Sequence, residues 1–502
     1  MTGDKDLDVC IVVEGCYPFV AGGVSSWLDW LMLKQPDTTF GVVAVVADAQ
    51  PREMKYALPP NVAHFQTVAL APQFKKLTVS QPLIDPAVLA DLLHGVLRDG
   101  DLAAMDGLTQ LAQTQIGRSG LHRFAKPAPP TLTDLVCSRP AWDAMVDCYG
   151  RLAPQAAFSD FFWAWQYLVG GLLSVLTAPV PRARVYHAIS TGFAGLYAVG
   201  AARRTNARSA ITEHGIYTNE RRIDLIMADW IEDRIAVGLG GGDCRTDVRD
   251  VWIETFETFA RLCYGGTDRI TTLYGQNQTF QRSLGAEEDK LLVIPNGIVL
   301  ERFNAIPRTP AARPTAALIG RVVPIKDIEA YIAAAAVVKR AIPDVEMLLI
   351  GPTDEDPDYF ALCQRRIAEL GLQDTIVFTG KVNIVDYLGR IDVMVLTSIS
   401  EAQPLVLLEA GAAGLPCVAT DVGSCREIIE GAPDEHPPLG SAGRVVPPMN
   451  ADAIGHAIVE LLADPALRQA CGATLKKRVE TYFTSEMSAQ RYAALYESLL
   501  SA

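Results

Sequence analysis

The chain has 502 residues, of which 49% are apolar and 20% charged, and its formal net charge is -14. That length accommodates two or three domains with separate cores, and the composition is that of a soluble globular protein. The acidic balance excludes a general nucleic-acid or anionic-membrane surface, so any phosphate site must be local.

The acidic opening, residues 1–8, runs directly into an apolar strand at 9–13, so the expectation is no signal peptide and a cytoplasmic, reduced setting. The ten cysteines stand singly, without a C-x2-C pair or a nearby His cluster, which argues against both a zinc site and a disulfide framework. A loop bearing Gly22 and Gly23 leads to a helix over 24–33, and strands follow at 41–46 and 62–68. From about 71 to 181 the pattern becomes helical and aromatic, with breaks at 127–130, and reads as an insertion on the first domain. Its apolar run 161–176 is short for a bilayer and contains Gln166 and two glycines, so a buried helix is expected, with an interfacial or partner-binding helix as the alternative.

Strand signals resume at 184–187, 210–214, 269–273 and 291–294, with helical sequence over 219–264 interrupted by glycines at 238–242. The proline-bearing stretch 306–314 is the best linker, and it divides domain 1–305 from domain 306–484. The second domain should carry strands at 316–319, 345–350, 375–379, 392–397, 416–420 and 444–446, with helices including 328–340 and 453–462. A closing helix over 485–500, in the segment 485–502, is expected to return to the first domain. Alternating strand and helix predicts an α/β protein with two doubly wound, Rossmann-like domains. No G-x-G-x-x-G follows the first strand and no G-x4-G-K-[ST] occurs, so dehydrogenase and P-loop readings lose their main support.

Two stretches carry the chemistry. Arg321 and Lys326 stand five positions apart after the apolar run 316–319, which places two cations at a strand end, where parallel sheets bind ligands. Glu401 and Glu409 stand eight apart, the first in a loop before Pro404 and the second about a turn and a half into the helix that Pro404 can open. The cations suit phosphates and the carboxylates suit hydroxyls, so the pattern predicts a sugar-diphosphate pocket.

The E-x7-E with Pro404, together with the upstream Arg/Lys pair, resembles the retaining nucleotide-sugar glycosyltransferases of family four. Residues 8–27, with Glu14-Gly-Cys-Tyr17-Pro18 and Gly22-Gly23-Val24-Ser25-Ser26-Trp27, and residues 212–221, with Thr212-Glu213-His214-Gly215-Ile216-Tyr217, resemble the PelF-type glycosyltransferases of Pel exopolysaccharide biosynthesis. The likeness covers nearly the whole chain. It implies a GT-B fold, two domains facing across a cleft, and a cytoplasmic enzyme that uses a UDP-sugar to build an exported, hexosamine-containing biofilm polysaccharide. It also implies retention of anomeric configuration, a polysaccharide acceptor and an inner-membrane synthesis and export complex as partner, with no nucleic acid.

Roles follow under that resemblance. No convincing Asp-x-Asp is present, because Asp354-Glu355-Asp356 reads as a solvated acidic turn, so Arg321 and Lys326 are the expected metal-free stabilisers of the leaving diphosphate and no metal or other cofactor is expected. Gly22 and Gly23 would complete the phosphate cradle at a helix N-terminus. Glu409 would hold the ribose, and Glu401 the sugar hydroxyls, with backbone amides of Gln403, Leu405 and Val406 nearby; Pro404 has none to offer. The family more often has Gly where Ala402 stands. Contacts to the base would come from around Gly380, Lys381 and Val382. His214 aligns with a histidine that contacts the donor sugar in related enzymes, while Glu14, Tyr17 and His187 are candidates for the acceptor side. Asn296 and Gly297 look like a hinge-side turn. With no carboxylate placed as a covalent nucleophile, a front-face displacement fits. A nucleotide-sugar epimerase or hydrolase, and a non-catalytic nucleotide-binding scaffold, are the alternatives.

Overall fold

The computed structural model describes residues 6–70, 81–119, 126–226, 248–303, 305–309 and 312–501. Parts of the expected insertion (71–80, 120–125), the glycine stretch 238–242 and linker residues 310–311 lie outside the described residues. The chain divides into two compact units, one of Met1–Thr272, Gln278–Leu292 and Ala493–Ala502, the other of Leu273–Asn277 and Val293–Tyr492.

Among the described residues the first unit holds seven strands: β1 (Leu7–Glu14), β2 (Phe40–Val46), β3 (Val62–Ala69), β4 (Ala183–Ala188), β5 (Arg208–Glu213), β6 (Arg269–Thr272) and β7 (Leu291–Val293). Their order is β3-β2-β1-β4-β5-β6-β7, and β1 pairs in parallel with β2 and β4. β2 is buried along its whole length and Val9–Val13 of β1 has no exposure, because crossover helices cover both faces of a parallel sheet. This accounts for the unbroken apolar runs in place of alternation.

The second unit holds, among the described residues, β8 (Thr315–Ile319), β9 (Glu346–Ile350), β10 (Ile376–Gly380), β11 (Val393–Leu396), β12 (Cys417–Thr420) and β13 (Gly443–Val446). The order β10-β9-β8-β11-β12-β13 reverses direction between β8 and β11, so the loops leaving β8, β11 and β12 lie side by side at the carboxyl end of the sheet. That topology brings the loop bearing Arg321 and Lys326 beside the loop bearing Glu401.

The apolar run 161–176 lies in the helix Phe158–Thr177, whose residues Leu168–Leu176 are all buried, while Trp163 and Tyr167 near its start are 63% and 62% exposed. Among the described residues no helix is long and apolar enough to cross a membrane. The expected helical stretch 219–264 contains the helices Tyr217–Ile226 and Val248–Gly266. A helix the pattern did not announce, Pro465–Tyr482, is capped by Asp464 accepting from the Ala466 and Leu467 amides, and it supplies Leu475 and Val479 to a buried cluster.

That helix also carries Arg478, which is 1% exposed. Its Nε and Nη2 donate to Glu435 at 2.5 and 2.9 Å, Nη1 to the Ile429 carbonyl at 2.9 Å and Nη2 to the Gly440 carbonyl at 2.7 Å. Hydrogen bonds from Arg478 hold the Glu435 carboxyl below its ordinary range. Removing one member of a buried pair strands the other charge, so Glu435→Ala should cost about 3–5 kcal/mol. The expected readout is a lower denaturant midpoint, and a loss below about 1 kcal/mol would contradict this assignment.

Candidate functional site

The loop after β8 begins with Gly320 and Arg321 and tightens into a single helical turn at Pro324–Lys326. Gly351, at the end of β9, has φ +154, and a Cβ there would lie 1.9 Å from the Gly320 carbonyl oxygen, so only glycine lets the two strand ends pass this closely. Lys326 Nζ donates to Glu401 Oε1 at 2.5 Å, and Ser398 Oγ donates to the same oxygen at 2.6 Å. The two side chains are 21% and 15% exposed. Behind them the Thr397 hydroxyl donates to the Lys326 carbonyl at 2.7 Å and the Ile399 amide to the Ile325 carbonyl at 2.9 Å, which pins the β8 loop to the β11 loop.

The loop after β12 closes the arrangement. The Ser424 amide donates to the Ala402 carbonyl at 2.8 Å, and Thr420 Oγ1 to the Ser398 carbonyl at 2.7 Å. Gly423 has φ +54, and a Cβ there would meet the Glu401 and Ala402 carbonyl oxygens at 2.2 and 2.3 Å. Among the described residues both hydrogen bonds to Glu401 fall on Oε1, and the carboxylate's second oxygen, Oε2, has acceptor capacity of its own.

Arg321 is half exposed and its Nη1 donates to Glu355 at 2.7 Å. The acidic triplet is exposed at Asp354 and Glu355, as a solvated turn should be; Glu355 pairs with Arg321 at the surface, and Asp356 accepts the Tyr359 amide at 2.9 Å as the cap of helix Pro357–Glu369. Pro404 caps the helix Leu405–Ala412, with Leu405 exposed at its first turn. Gln403 is 7% exposed, and its Oε1 accepts the Asn296 amide at 2.7 Å. Glu409 is largely buried on the same helix, and burial pushes its carboxyl up to about 7, with the Arg302 charge partly opposing the rise. Lys381, exposed, and Val382 follow β10, two strands away from β8 in the sheet.

In the first unit, Gly22 ends an extended segment and begins the helix Gly23–Leu33 without a side-chain cap. A Cβ at Gly22 or Gly23 would meet nothing within 4 Å, so neither glycine is demanded by packing, and the first amides of the helix keep their donors open. His214 follows β5, packs edge-on against Trp27 with ring centroids 4.5 Å apart, and its Nε2 is buried without a partner among the described residues. Burial lowers His214 to about 4, so the imidazole is neutral at physiological pH.

Two sequence expectations need correction. His187 is fully buried, with Nδ1 2.7 Å from the Tyr496 hydroxyl and Nε2 2.8 Å from Thr212 Oγ1, and burial lowers it to about 3. Both ring nitrogens are spent inside the unit, so it is a core histidine and no acceptor ligand. Tyr17 has no exposure, and its hydroxyl donates to Asp29 at 3.2 Å, which also removes it from the acceptor side. Glu14 closes β1 and accepts from the Tyr217 hydroxyl at 2.7 Å and the Ala194 amide at 3.2 Å, with burial raising its carboxyl above the ordinary range.

The sequence reading passed over three partners. Ser398 shares Glu401 with Lys326, and Gly423 admits the neighbouring loop. Glu213, 1% exposed, accepts from the Tyr264 hydroxyl at 2.6 Å and from Gln281 Nε2 at 2.9 Å just before His214. Glu213 was visible as a carboxylate inside the 212–221 stretch, and Ser398 as a hydroxyl at a strand end.

The comparisons with known proteins bear on the family and the fold. Residues 7–289 match the family model described as domain of unknown function (DUF3492), and residues 301–478 match that of glycosyl transferases group 1. An N-acetyl-alpha-D-glucosaminyl L-malate synthase of Bacillus anthracis is 30% identical over 158 residues, 31% of this chain and 38% of that protein. An exopolysaccharide phosphotransferase of Streptomyces coelicolor is 32% identical over 226 residues, 45% of this chain and 22% of that protein. The chain thus spans well under half the length of these curated relatives. Among solved structures, sucrose-phosphate synthase from Thermosynechococcus elongatus aligns with a TM-score of 0.58 at 18% identity, over 98% of this chain and 99% of that one. Anabaena HepE in complex with UDP and glucose aligns at 0.56 and 14% identity, over 98% and 100%. These likenesses show the fold: the two parallel-sheet α/β units are those of GT-B structures.

Glu409 yields a stability test. Its folded value of about 7 lies above its ordinary 4.5, so its contribution to stability is complete below 4.5 and is lost as pH rises through 7. Glu409→Gln should therefore raise the melting temperature more at pH 8 than at pH 5, and an equal gain at both would contradict the burial cost.

Proposed function

We propose that this protein, which belongs to the family described as domain of unknown function (DUF3492) and carries a glycosyl transferases group 1 domain over residues 301–478, transfers a hexose or N-acetylhexosamine from a UDP-sugar to a growing exopolysaccharide of the Pel type. The transfer retains anomeric configuration, uses no metal, and takes place on the cytoplasmic side beside a membrane-bound synthesis and export assembly. One observation carries the reading: Lys326 and Glu401 are hydrogen-bonded at the sheet edge where the strand order reverses, with Arg321 at the start of the same loop.

Each residue has a physical task. As the bond from the anomeric carbon to the diphosphate breaks, its electron pair leaves on the UDP, and fixed cations offset that charge without reorganising. The half-exposed pair of Arg321 with Glu355 is worth only about 0–1 kcal/mol, so a diphosphate can replace Glu355 and take the guanidinium with two oxygens. Lys326 has three N–H donors and uses one on Glu401, which leaves the others for phosphate. Glu401 Oε2 accepts a sugar hydroxyl, and Glu409 accepts from the ribose diol. The acceptor hydroxyl bonds to the anomeric carbon on the face the diphosphate leaves, and its proton passes to a departing phosphate oxygen. Within the first unit, the open amides after Gly22 and the neutral His214 are suited to phosphate and sugar oxygens.

The UDP donor is supported by HepE, which shares the fold and binds UDP and glucose, and the polymeric product by the Streptomyces coelicolor exopolysaccharide phosphotransferase. Lys326→Ala and Glu401→Ala should each lower transfer by about 10²–10³-fold or more, and because each leaves a largely buried partner unpaired the melting temperature should fall as well, so rates are compared on protein shown to be folded at the assay temperature. A folded variant that keeps most of the wild-type rate would overturn the assignment. Free sugar released at the full rate without any acceptor would replace it with a hydrolase.

A further inference from the structure

Beside Glu401 the structure leaves two buried polar atoms of complementary character. Gln403 Oε1 accepts the Asn296 amide at 2.7 Å, while the Gln403 Nε2 donor and the Asn296 Oδ1 acceptor are both buried without partners among the described residues. Exchanging the Gln403 oxygen and nitrogen would not remove the mismatch, since it would set an NH2 against the Asn296 N–H.

The backbone beside each group is pinned. The Asn296 backbone lies in a turn held from the other side, where the Ile298 amide donates to the Phe483 carbonyl at 2.9 Å and the Ser485 amide to the Ile298 carbonyl at 2.9 Å. A Cβ on Gly297 would fall 2.0 Å from the Thr484 carbonyl oxygen, so the turn lies flat against that segment. Gln403 sits between Glu401, fixed by Lys326 and Ser398, and the capping Pro404. An amide donor and an amide acceptor buried and unpaired cost free energy unless something satisfies both.

A hydroxyl group can do so, because it accepts one hydrogen bond and donates another. We propose that Gln403 Nε2 and Asn296 Oδ1 form a subsite for one ring hydroxyl of the transferred sugar, the first donating to its oxygen and the second accepting its proton. The proposal rests on the donor-site reading above and makes Gln403 a specificity-determining residue. An acetamido carbonyl, which accepts and cannot donate, would satisfy only half of the pair, so the subsite selects a hydroxyl at that ring position.

The test is titration of the full chain with UDP, a UDP-hexose and its monodeoxy analogues, in wild type, Gln403→Glu and Gln403→Met. Gln403→Glu keeps an acceptor for the Asn296 amide and removes the donor, whereas Gln403→Met removes both. In wild type one monodeoxy analogue should bind about 10- to 100-fold more weakly than the parent sugar, and in both variants that penalty should vanish while UDP binds as in wild type. A deoxy penalty that persists undiminished in both variants overturns the subsite. Equal weakening of UDP and every UDP-sugar also overturns it, and assigns the two amides to a water-bridged strut. Wild-type protein that binds neither UDP nor a UDP-sugar overturns the functional reading itself, a result separable from failure of the subsite alone.

Discussion

The hydrogen bond between Lys326 and Glu401 organises the loops at the carboxyl end of the second unit's sheet. The residues lie on loops leaving adjacent strands, β8 and β11, and the ion pair is flanked by Ser398 on the carboxylate and Thr397 on the lysine carbonyl. Buried charges are tolerated when they are paired and hydrogen-bonded, and each is so here while keeping capacity to spare: donors on Lys326 and one oxygen on Glu401. The loop after β12 completes the set only because Gly423 adopts a positive φ against the Glu401 and Ala402 carbonyls. The sheet order brings the three loops together, and short backbone contacts keep them there.

The strands were legible in the sequence because each is an apolar run bounded by turn residues. The stretch 316–319 became β8, and 444–446 became part of β13. That the loop with Lys326 would meet the loop with Glu401 was legible for a related reason, since both leave strand ends on the same side of a doubly wound sheet. Other contacts between loops were not legible. Nothing in the spacing of Gly423 from Glu401 indicates that one backbone rests on the other, and nothing near Asn296 points to Gln403, 107 positions away. The helix Pro465–Tyr482 went unnoticed because its buried face is small and mixed, Cys471, Gly472, Leu475, Arg478 and Val479, and so shows no strong apolar stripe in the sequence.

His187 and Tyr17 show the limit of reading a side chain from its place at a strand end. A histidine there looks the same in sequence whether it points to a ligand or to the core, and only the partners decide. His187 found Tyr496 from the chain's last helix and Thr212 from β5, which satisfied both nitrogens in a site where a charge would be costly. His214 differs from it: it too is neutral by burial, and its Nε2 has no partner among the described residues.

The central claim is that fixed side-chain cations, with no metal, hold the donor diphosphate. Isothermal titration of UDP and a panel of UDP-sugars in EDTA, against wild type and Arg321→Ala, tests it most directly. The account predicts binding of UDP and at least one UDP-sugar by wild type in EDTA, with the affinity lost in Arg321→Ala. Binding that appears only when a divalent cation is restored, or an Arg321→Ala protein that binds as wild type does, would contradict it.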